Sequence, residues 1–516
     1  MRKLLVAATV AVAVMVLGSA GGARAAERES PRWPTLREQM QRDRVERGTE
    51  LEKLISENQD FTLLDPREAE DRLGVPLWLR VHWRKAHPEL RYDFRDPTHG
   101  YPLVLKEVAE WMKTHPNFDQ SRVEPELETK TYAAGANVRL SGAQSNPRSE
   151  SDIRVNYWNT SKVIGASNNI GGSGQQAQWF SSDGGASWSQ SSLPLASGDS
   201  FHSDPTVDWT SDGTAWSTTI GINSAGTVLK MRAYRSTDGG ATWTLDNTFS
   251  GTQSSADKQM MWTDHSASSS FKDSIYAIWH NGNPVFFNRR RAGSWLASPV
   301  QISGSETTGT GIGADVKTNS AGEVFAMWPD TGSSKLYLTK STDGGGTWGA
   351  RTTVATTFDS FDIGVPSFNN RRMLIYVAVG TYKAGTKNNV YTVWNDLSGA
   401  SGCTAPANEP GSSTTSSCKS RIWFARSTDG GATWGAKVKI NDQSGLNDQF
   451  NPWLAVDETN GKIAVMYYDT VNDAGRKKVD VYYQSSSNDG STWSTPLKVT
   501  TATTDETAAG ADSGNQ

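Results

Sequence analysis

Cysteine is almost missing from this chain. Only Cys403 and Cys418 occur in 516 residues, too few for a cysteine-rich scaffold or a thiolate-bound metal cluster. Histidine is equally sparse, with seven residues and no His-Glu-x-x-His pairing, which excludes the zinc-hydrolase signature. There is no Gly-x-Ser-x-Gly elbow and no Walker loop, so a serine nucleophile of that type and a P-loop are excluded as well. Neither sign of charge dominates: the net charge is −4 and the pI about 6, giving no basic field for nucleic acid. Beyond the N-terminus no apolar run approaches the length needed to span a bilayer.

The N-terminus itself has the three parts of a secretory signal. Arg2 and Lys3 precede an apolar run from Leu4 to Leu17, and Ala23-Arg-Ala25 provides small residues for cleavage. Residues 1–25 are therefore expected to be removed, leaving an exported chain that starts near Ala26 and has no membrane span. Export makes a Cys403–Cys418 disulfide the expected state, worth about 3 kcal/mol for so short a loop in the chain-entropy model. Residues 26–130 are dense in charge. The spacing of Leu36, Met40, Leu51, Leu54 and Ile55 predicts amphipathic helix, with further helices over 75–86 and 103–112. This helical N-terminal segment reads as a pro-segment or a docking cap.

From residue 131 onward the texture is all-β: short alternating strands, polar turns, 48 glycines and 20 tryptophans in the whole chain. One octet recurs, as Ser181-Ser-Asp-Gly-Gly-Ala-Ser-Trp188, Ser236-Thr-Asp-Gly-Gly-Ala-Thr-Trp243, Ser341-Thr-Asp-Gly-Gly-Gly-Thr-Trp348 and Ser427-Thr-Asp-Gly-Gly-Ala-Thr-Trp434. A fifth copy, Ser486 to Trp493, has Asn488 in place of Asp, and Asn288 to Trp295 reads as a decayed sixth. Asp and Gly-Gly suit a tight turn, and the Trp can wedge between sheets. The six tryptophans lie 52–59 residues apart except for one interval of 86, which contains both cysteines and a Gly/Ser/Thr-rich insertion over 398–417. Six units of four strands make a six-bladed β-propeller. Asn137 to Gly142 resembles a fourth strand and is expected at the outer edge of the last blade, where Pro496 to Thr500 competes for the same place.

On these octets the chain resembles the Asp-box (bacterial neuraminidase repeat) proteins and the six-bladed sialidase superfamily, over roughly residues 137–501. The resemblance implies octets on the face opposite the active site, with a purely structural role. It also implies three substrate-binding arginines, a Tyr–Glu nucleophile pair and an Asp acid/base. The first family arginine belongs to a Phe/Tyr-Arg-Ile-Pro motif, whereas the corresponding strand here reads Ser151-Asp-Ile-Arg-Val-Asn156. Asp152 and Arg154 share a face there, so Arg154 would serve from a shifted position.

In such a propeller the loops entering the inner strands and leaving the second strands meet over the axis. The first set carries Glu150, Asp152, His202, Asp204, Asp257, Lys258, Asp362 and Asp448. The second repeats aromatic-x-Asx: Trp279-His280-Asn281, Trp328-Pro-Asp330, Trp394-Asn-Asp396 and Tyr467-Tyr468-Asp469. Converging carboxylates point to acid–base chemistry. Asp152, Asp257, Asp448, Tyr468 and Asp469 are the catalytic candidates. Glu150, Arg154, His202, Asp204, Lys258, His280, Asp330, Asp362, Asp396 and Arg421 are candidates for holding substrate. Any single Asp can equally be a turn cap. Ca²⁺ suits such oxygen ligands but lacks a regular Asp-x-Asp loop here, so no cofactor is expected. The leading expectation is a secreted glycoside hydrolase acting on an extracellular glycan or glycoconjugate. The alternatives are a non-catalytic propeller that binds glycan or protein, and a polysaccharide lyase using His202, His280 or Tyr468.

Overall fold

Strand alternation and Gly-rich turns organise the chain into antiparallel sheets that follow one another in sequence. The computed structural model describes residues 33–43, 45–64, 76–88, 137–138, 140–141, 148–169, 173–368, 371–505 and 507–508. The signal segment and the helix expected over 103–112 lie outside them. The chain divides into two compact units, 1–133 and 134–516.

In the first unit, α1 (Leu36–Asp43) and α2 (Glu50–Glu57) replace one continuous amphipathic stretch, and α3 (Leu77–Ala86) follows. The break comes from Gly48, which takes a left-handed φ of 80°. Thr49 then opens α2 by accepting the Glu52 N–H. Among the described residues no helix is long and apolar enough to cross a membrane.

The second unit is a six-bladed β-propeller. Its inner strands are Asp152–Val155, Phe201–Trp209, Ala256–Thr263, Asp315–Thr318, Ala378–Ala384 and Gln449–Val456. Each begins an antiparallel sheet whose strands follow in chain order outward, and each packs beside the next inner strand from first to sixth. Three aspartates tie the hub. Asp152, Asp208 and Asp315 each accept the N–H of the following residue and, with the other oxygen, an N–H of the next blade's inner strand. Those second bonds run from Val207, Thr263 and Val379, at 2.9, 2.8 and 2.8 Å. A carboxylate here replaces a ladder bond that neighbouring, splayed sheets cannot make.

The octets join third to fourth strands. Antiparallel order puts them at the end of the propeller opposite the starts of the inner strands. In all five copies the Ser hydroxyl donates to the Asp or Asn side chain and receives the N–H of the second small residue before the Ser/Thr-Trp pair. The Asx oxygen then takes the N–H of the residue just before the Trp, at 2.9 Å each time. Four of these turns press on the preceding blade. A Cβ on Gly240, Gly345, Gly431 or Gly490 would meet Phe180, Phe287, Leu338 or Phe424 at 2.9 Å or less. The tryptophans pack the same way: Trp348 meets Phe287 edge-on at 4.8 Å and Trp493 meets Phe424 at 5.2 Å.

The decayed sixth copy is instead a two-residue hairpin, with Ala292 and Gly293 both left-handed, the arrangement that matches strand twist. Its Trp295 still reaches the preceding blade, stacking on Phe249 at 4.5 Å and donating to Asp246 at 2.9 Å.

The outer strand of the sixth blade is Leu497–Lys498, so the 496–500 segment fills the position for which 137–142 competed. Asn137 joins just beyond it, accepting from Thr501 N and Oγ1 at 2.7 Å, while Leu140 lies over Gly165 of the first blade. Cys403 and Cys418 form a disulfide.

Candidate functional site

Three inner strands contain the same irregularity near their starts. Asp204-Pro205, Lys258-Gln259 and Asn451-Pro452 each oppose a single residue of the second strand. The first residue of each bulge is left-handed, with φ of 52°, 51° and 46°. Glu150 and Gly313, ahead of the first and fourth inner strands, are left-handed as well. A non-glycine residue in that region costs of order 1–3 kcal/mol and persists only where surroundings enforce it. Asparagines from neighbouring blades supply that constraint: Asn168 Oδ1 accepts the Asp204 N–H at 2.9 Å, and Asn395 Oδ1 the Asn451 N–H at 3.2 Å. Bulges of this kind re-aim side chains.

Their effect is to gather Glu150, Asp204, Asp257 and Lys258 from three blades. Asp204 is 9 % exposed. Burial pushes its carboxyl well above the usual carboxylate range, and the adjacent Glu150 charge pushes the same way. Burial would also raise Glu150. Lys258, hydrogen bonds from Asp204 and Asn168, and then Arg371 outweigh it and hold Glu150 below its usual value. The Asn168 bond measures 2.9 Å and the Arg371 guanidinium stands 4.0 Å away. The opposite directions of these two shifts favour the proton on Asp204 over Glu150. Burial disfavours the Lys258 ammonium, but Glu150, Asp204 and further anionic neighbours raise it, and its Nζ sits 5.0 Å over the Tyr376 ring. Asp257 is more open, with 43 % of its side chain exposed and His280 Nε2 3.7 Å away. Although burial opposes it, His280 and Lys258 keep Asp257 ionised below its usual range. Five of the residues singled out from sequence, Glu150, Asp204, Asp257, Lys258 and His280, are thus brought together.

The other singled-out residues have different partners. Asp152 belongs to the hub ties, with Arg154 Nη1 3.5 Å from it. His202 accepts the Gln176 N–H at Nδ1 and faces the Tyr234 hydroxyl with Nε2. Burial lowers its pKa to about 4, so it is neutral with both nitrogens engaged. The repeated Asx residues after the second strands bind loops rather than a shared pocket. Asp330 accepts N–H groups of Thr308, Gly309, Gly332 and Ser333. Asp396 accepts those of Phe358, Asp359 and Leu397, and burial raises its pKa to about 6. Asp469 accepts from Asn447, Gln449 and Val471. Asp448 forms a buried two-point pair with Arg476, 2.9 and 2.7 Å. Arg421 donates to the carbonyls of Ser420, Gln443, Gly445 and Asn447. Asp362 pairs with Arg372 at 3.0 Å, and Tyr468 stacks on Phe450. Among the described residues no group of three or more His, Cys, Asp or Glu side chains is arranged to hold a metal ion.

Sequence reasoning missed Tyr376 and Arg371. Both come from a hairpin inserted between the fourth and fifth blades, whose strands Asp362–Ile363 and Met373–Leu374 pair only with each other. Its neighbours span the ring. Arg371 approaches Glu150 of the first blade, Tyr376 meets Lys258 of the third and packs on Gly313 of the fourth, and Asn395 of the fifth donates to Leu374 O. Ser367 donates to Arg476 O, and Phe368 packs on Phe450 of the sixth at 5.3 Å. The available signal was the interval of 86 residues between Trp348 and Trp434, longer than the insertion over 398–417 accounts for.

No protein-family model and no curated protein matches the chain. Solved structures similar to it include the α-L-arabinofuranosidase Arb93A of Fusarium graminearum, 13% identical, covering 66% of this chain and 92% of that one with a TM-score of 0.41. The α-L-arabinanase of Penicillium chrysogenum complexed with arabinobiose is 12% identical over 65% and 92%, TM-score 0.41. The NanB sialidase of Streptococcus pneumoniae is 10% identical over 70% of each chain, TM-score 0.43.

Proposed function

We propose that the chain is an exported glycoside hydrolase that cleaves an extracellular glycan with the Glu150–Asp204–Asp257 cluster. The observation that carries this reading is the buried Glu150–Asp204 pair, which keeps one carboxyl protonated beside an ionised one. Asp204 donates its proton to the leaving glycosidic oxygen as that bond breaks. Glu150 is too close to be the second carboxylate, since a hydrogen-bonded pair lies well inside the ~5 Å separating the two groups of a retaining enzyme. Asp257, ionised and partly exposed, takes the second role against the opposite side of the sugar, where water supplies the oxygen that bonds the anomeric carbon, directly or after a glycosyl–Asp257 ester. Lys258 and Arg371 balance the charge and offer donors to substrate oxygens.

A second reading, a glycan-binding propeller without turnover, is favoured by Tyr468, exposed on the same face and stacked on the buried Phe450. The lyase reading loses His202 as its base, because both ring nitrogens are occupied, and rests on His280 and Tyr468. The deciding experiment is a panel of arabinans, sialosides and uronic-acid polymers offered to wild type, Asp204→Asn and Asp257→Asn. Hydrolysis by wild type, falling at least a hundredfold in both variants with unchanged melting, supports the proposal. Binding without hydrolysis by wild type replaces it with the second reading.

A further inference from the structure

The insertion over 398–417 does more than lengthen the fifth blade. It leaves the second strand of that blade at Leu397 and enters the third at Ser420, and these two residues already face each other across the ladder. The ends of the loop are therefore joined by the sheet itself. Inside them the Cys403–Cys418 bridge closes a second, smaller loop, with both cysteines buried. A crosslink in that position adds little to the sheet. Its effect is to remove freedom from the segment between the two sulfurs.

That segment grips the inserted hairpin. Glu409 Oε2 accepts the Gly364 N–H at 2.8 Å and a bond from the Arg372 guanidinium, while the Gly411 N–H donates to Gly364 O at 2.9 Å. The two backbones touch, since a Cβ on Gly364 would stand 3.0 Å from Gly411 Cα. The end of the segment is tied in as well. Arg476 donates to Ser416 O and Cys418 O, and its own carbonyl takes the Ser367 hydroxyl of the hairpin. The hairpin needs this support. Its two-residue strands form a sheet of their own, and an isolated two-stranded ribbon is marginal in water. Yet it carries Arg371, 4.0 Å from Glu150, and Tyr376, whose ring lies 5.0 Å from Lys258 Nζ. Arg371 Nη1 is buried without a hydrogen-bond partner among the described residues, so its place follows the course of the hairpin.

We propose that the disulfide-closed loop is a positioning device for the axial cluster. Glu409 and Gly411 fix the hairpin, and the hairpin sets Arg371 beside Glu150 and Tyr376 over Lys258. Assembly of the site, rather than stability of the blade, then depends on the Cys403–Cys418 bond. Glu409 is a positioning residue, acting through Gly364 and Arg372. The consequence for turnover rests on the proposed hydrolysis; the consequence for the geometry does not.

The test compares the full chain with its Cys403→Ala/Cys418→Ala, Glu409→Ala, Glu409→Gln and Gly364→Ala variants. Hydrogen exchange reads the hairpin over 361–368 and 371–376. Hydroxyl-radical oxidation, mapped by mass spectrometry, reads Tyr376 against the exposed Tyr157. Hairpin exchange should rise at least tenfold and Tyr376 oxidation at least threefold in the double-cysteine, Glu409→Ala and Gly364→Ala variants. Melting temperatures and exchange in the six inner strands should match wild type. Glu409→Gln keeps an acceptor for the Gly364 N–H and should fall between Glu409→Ala and wild type. Any glycan that wild type hydrolyses should show kcat/KM lowered at least tenfold in the three disrupting variants. Wild-type exchange and oxidation in Glu409→Ala and Gly364→Ala overturn the proposal, whether or not the double-cysteine variant folds. Loosening of the inner strands together with the hairpin also overturns it, since the loop is then a general staple. If wild type hydrolyses no glycan, the proposed reaction falls, and exchange and oxidation still decide the positioning role.

Discussion

Glu150 and Asp204 differ by one methylene yet hold unequal charge, because Lys258, Asn168 and Arg371 all favour an ionised Glu150. Glu150 in turn raises Asp204. Replacing Glu150 by Gln removes that neighbouring charge, so the Asp204 pKa falls. The alkaline limb of kcat/KM should then move to lower pH, whereas a limb that stays put assigns the proton to another group. His202 gives a second, independent titration. Its ring is neutral in the folded protein down to about pH 4, against 6.5 for a free imidazole. Between those values the unfolded chain binds the extra proton, so stability is lost as pH falls through the window. The loss is roughly 3 kcal/mol at full extent. Urea unfolding at pH 7 and 4.5 should show a difference smaller by roughly 2 kcal/mol in His202→Gln than in wild type. Residue types alone pointed to Glu150, Asp204, Asp257, Lys258 and His280. They pointed equally to Asp330, Asp396 and Asp469, because a carboxylate that caps a loop and one that faces a substrate look the same until their donors are known.

Elements here owe their positions to turns that touch the preceding blade. The two glycines of an octet are both left-handed, yet they bear different loads. Gly239, at φ 80°, has open space around it, while a Cβ on Gly490, at φ 79°, would stand 2.3 Å from Phe424. Gly239→Ala should therefore cost about 1 kcal/mol, the backbone penalty alone. Gly490→Ala adds a clash with the neighbouring sheet and should cost several times more, about 3 kcal/mol or above. Thermal melts of the two variants check this, and equal losses would mean that the turn does not brace the preceding blade. The octets were readable because they repeat. The inserted hairpin was not, because it occurs once and its role comes from what it reaches: Arg371 and Tyr376 have no periodic partner to mark them.

For the whole propeller, the first and sixth blades must be joined without a covalent link between them. Asn137 performs this by bonding to Val499 and Thr501 at a sequence distance of over 360 residues. Asn137→Ala should lower unfolding free energy by about 1–2 kcal/mol. Hydrogen exchange should rise first at residues 497–501, before any other outer strand. Uniform exchange across the outer strands would place the weak seam elsewhere.

The number of blades, their octet staples and the existence of an acidic axial face were determined by the sequence itself, because repetition, turn chemistry and strand alternation are local properties. Which carboxylates meet was decided only by the tertiary structure. Left-handed bulges, side-chain clamps from adjacent blades and a hairpin lying over the axis turn particular groups toward one another, and each depends on atoms far apart in the chain. The same physics separates Asp204, buried against Glu150, from Asp330, wrapped in loop N–H groups: their surroundings differ while their chemistry does not.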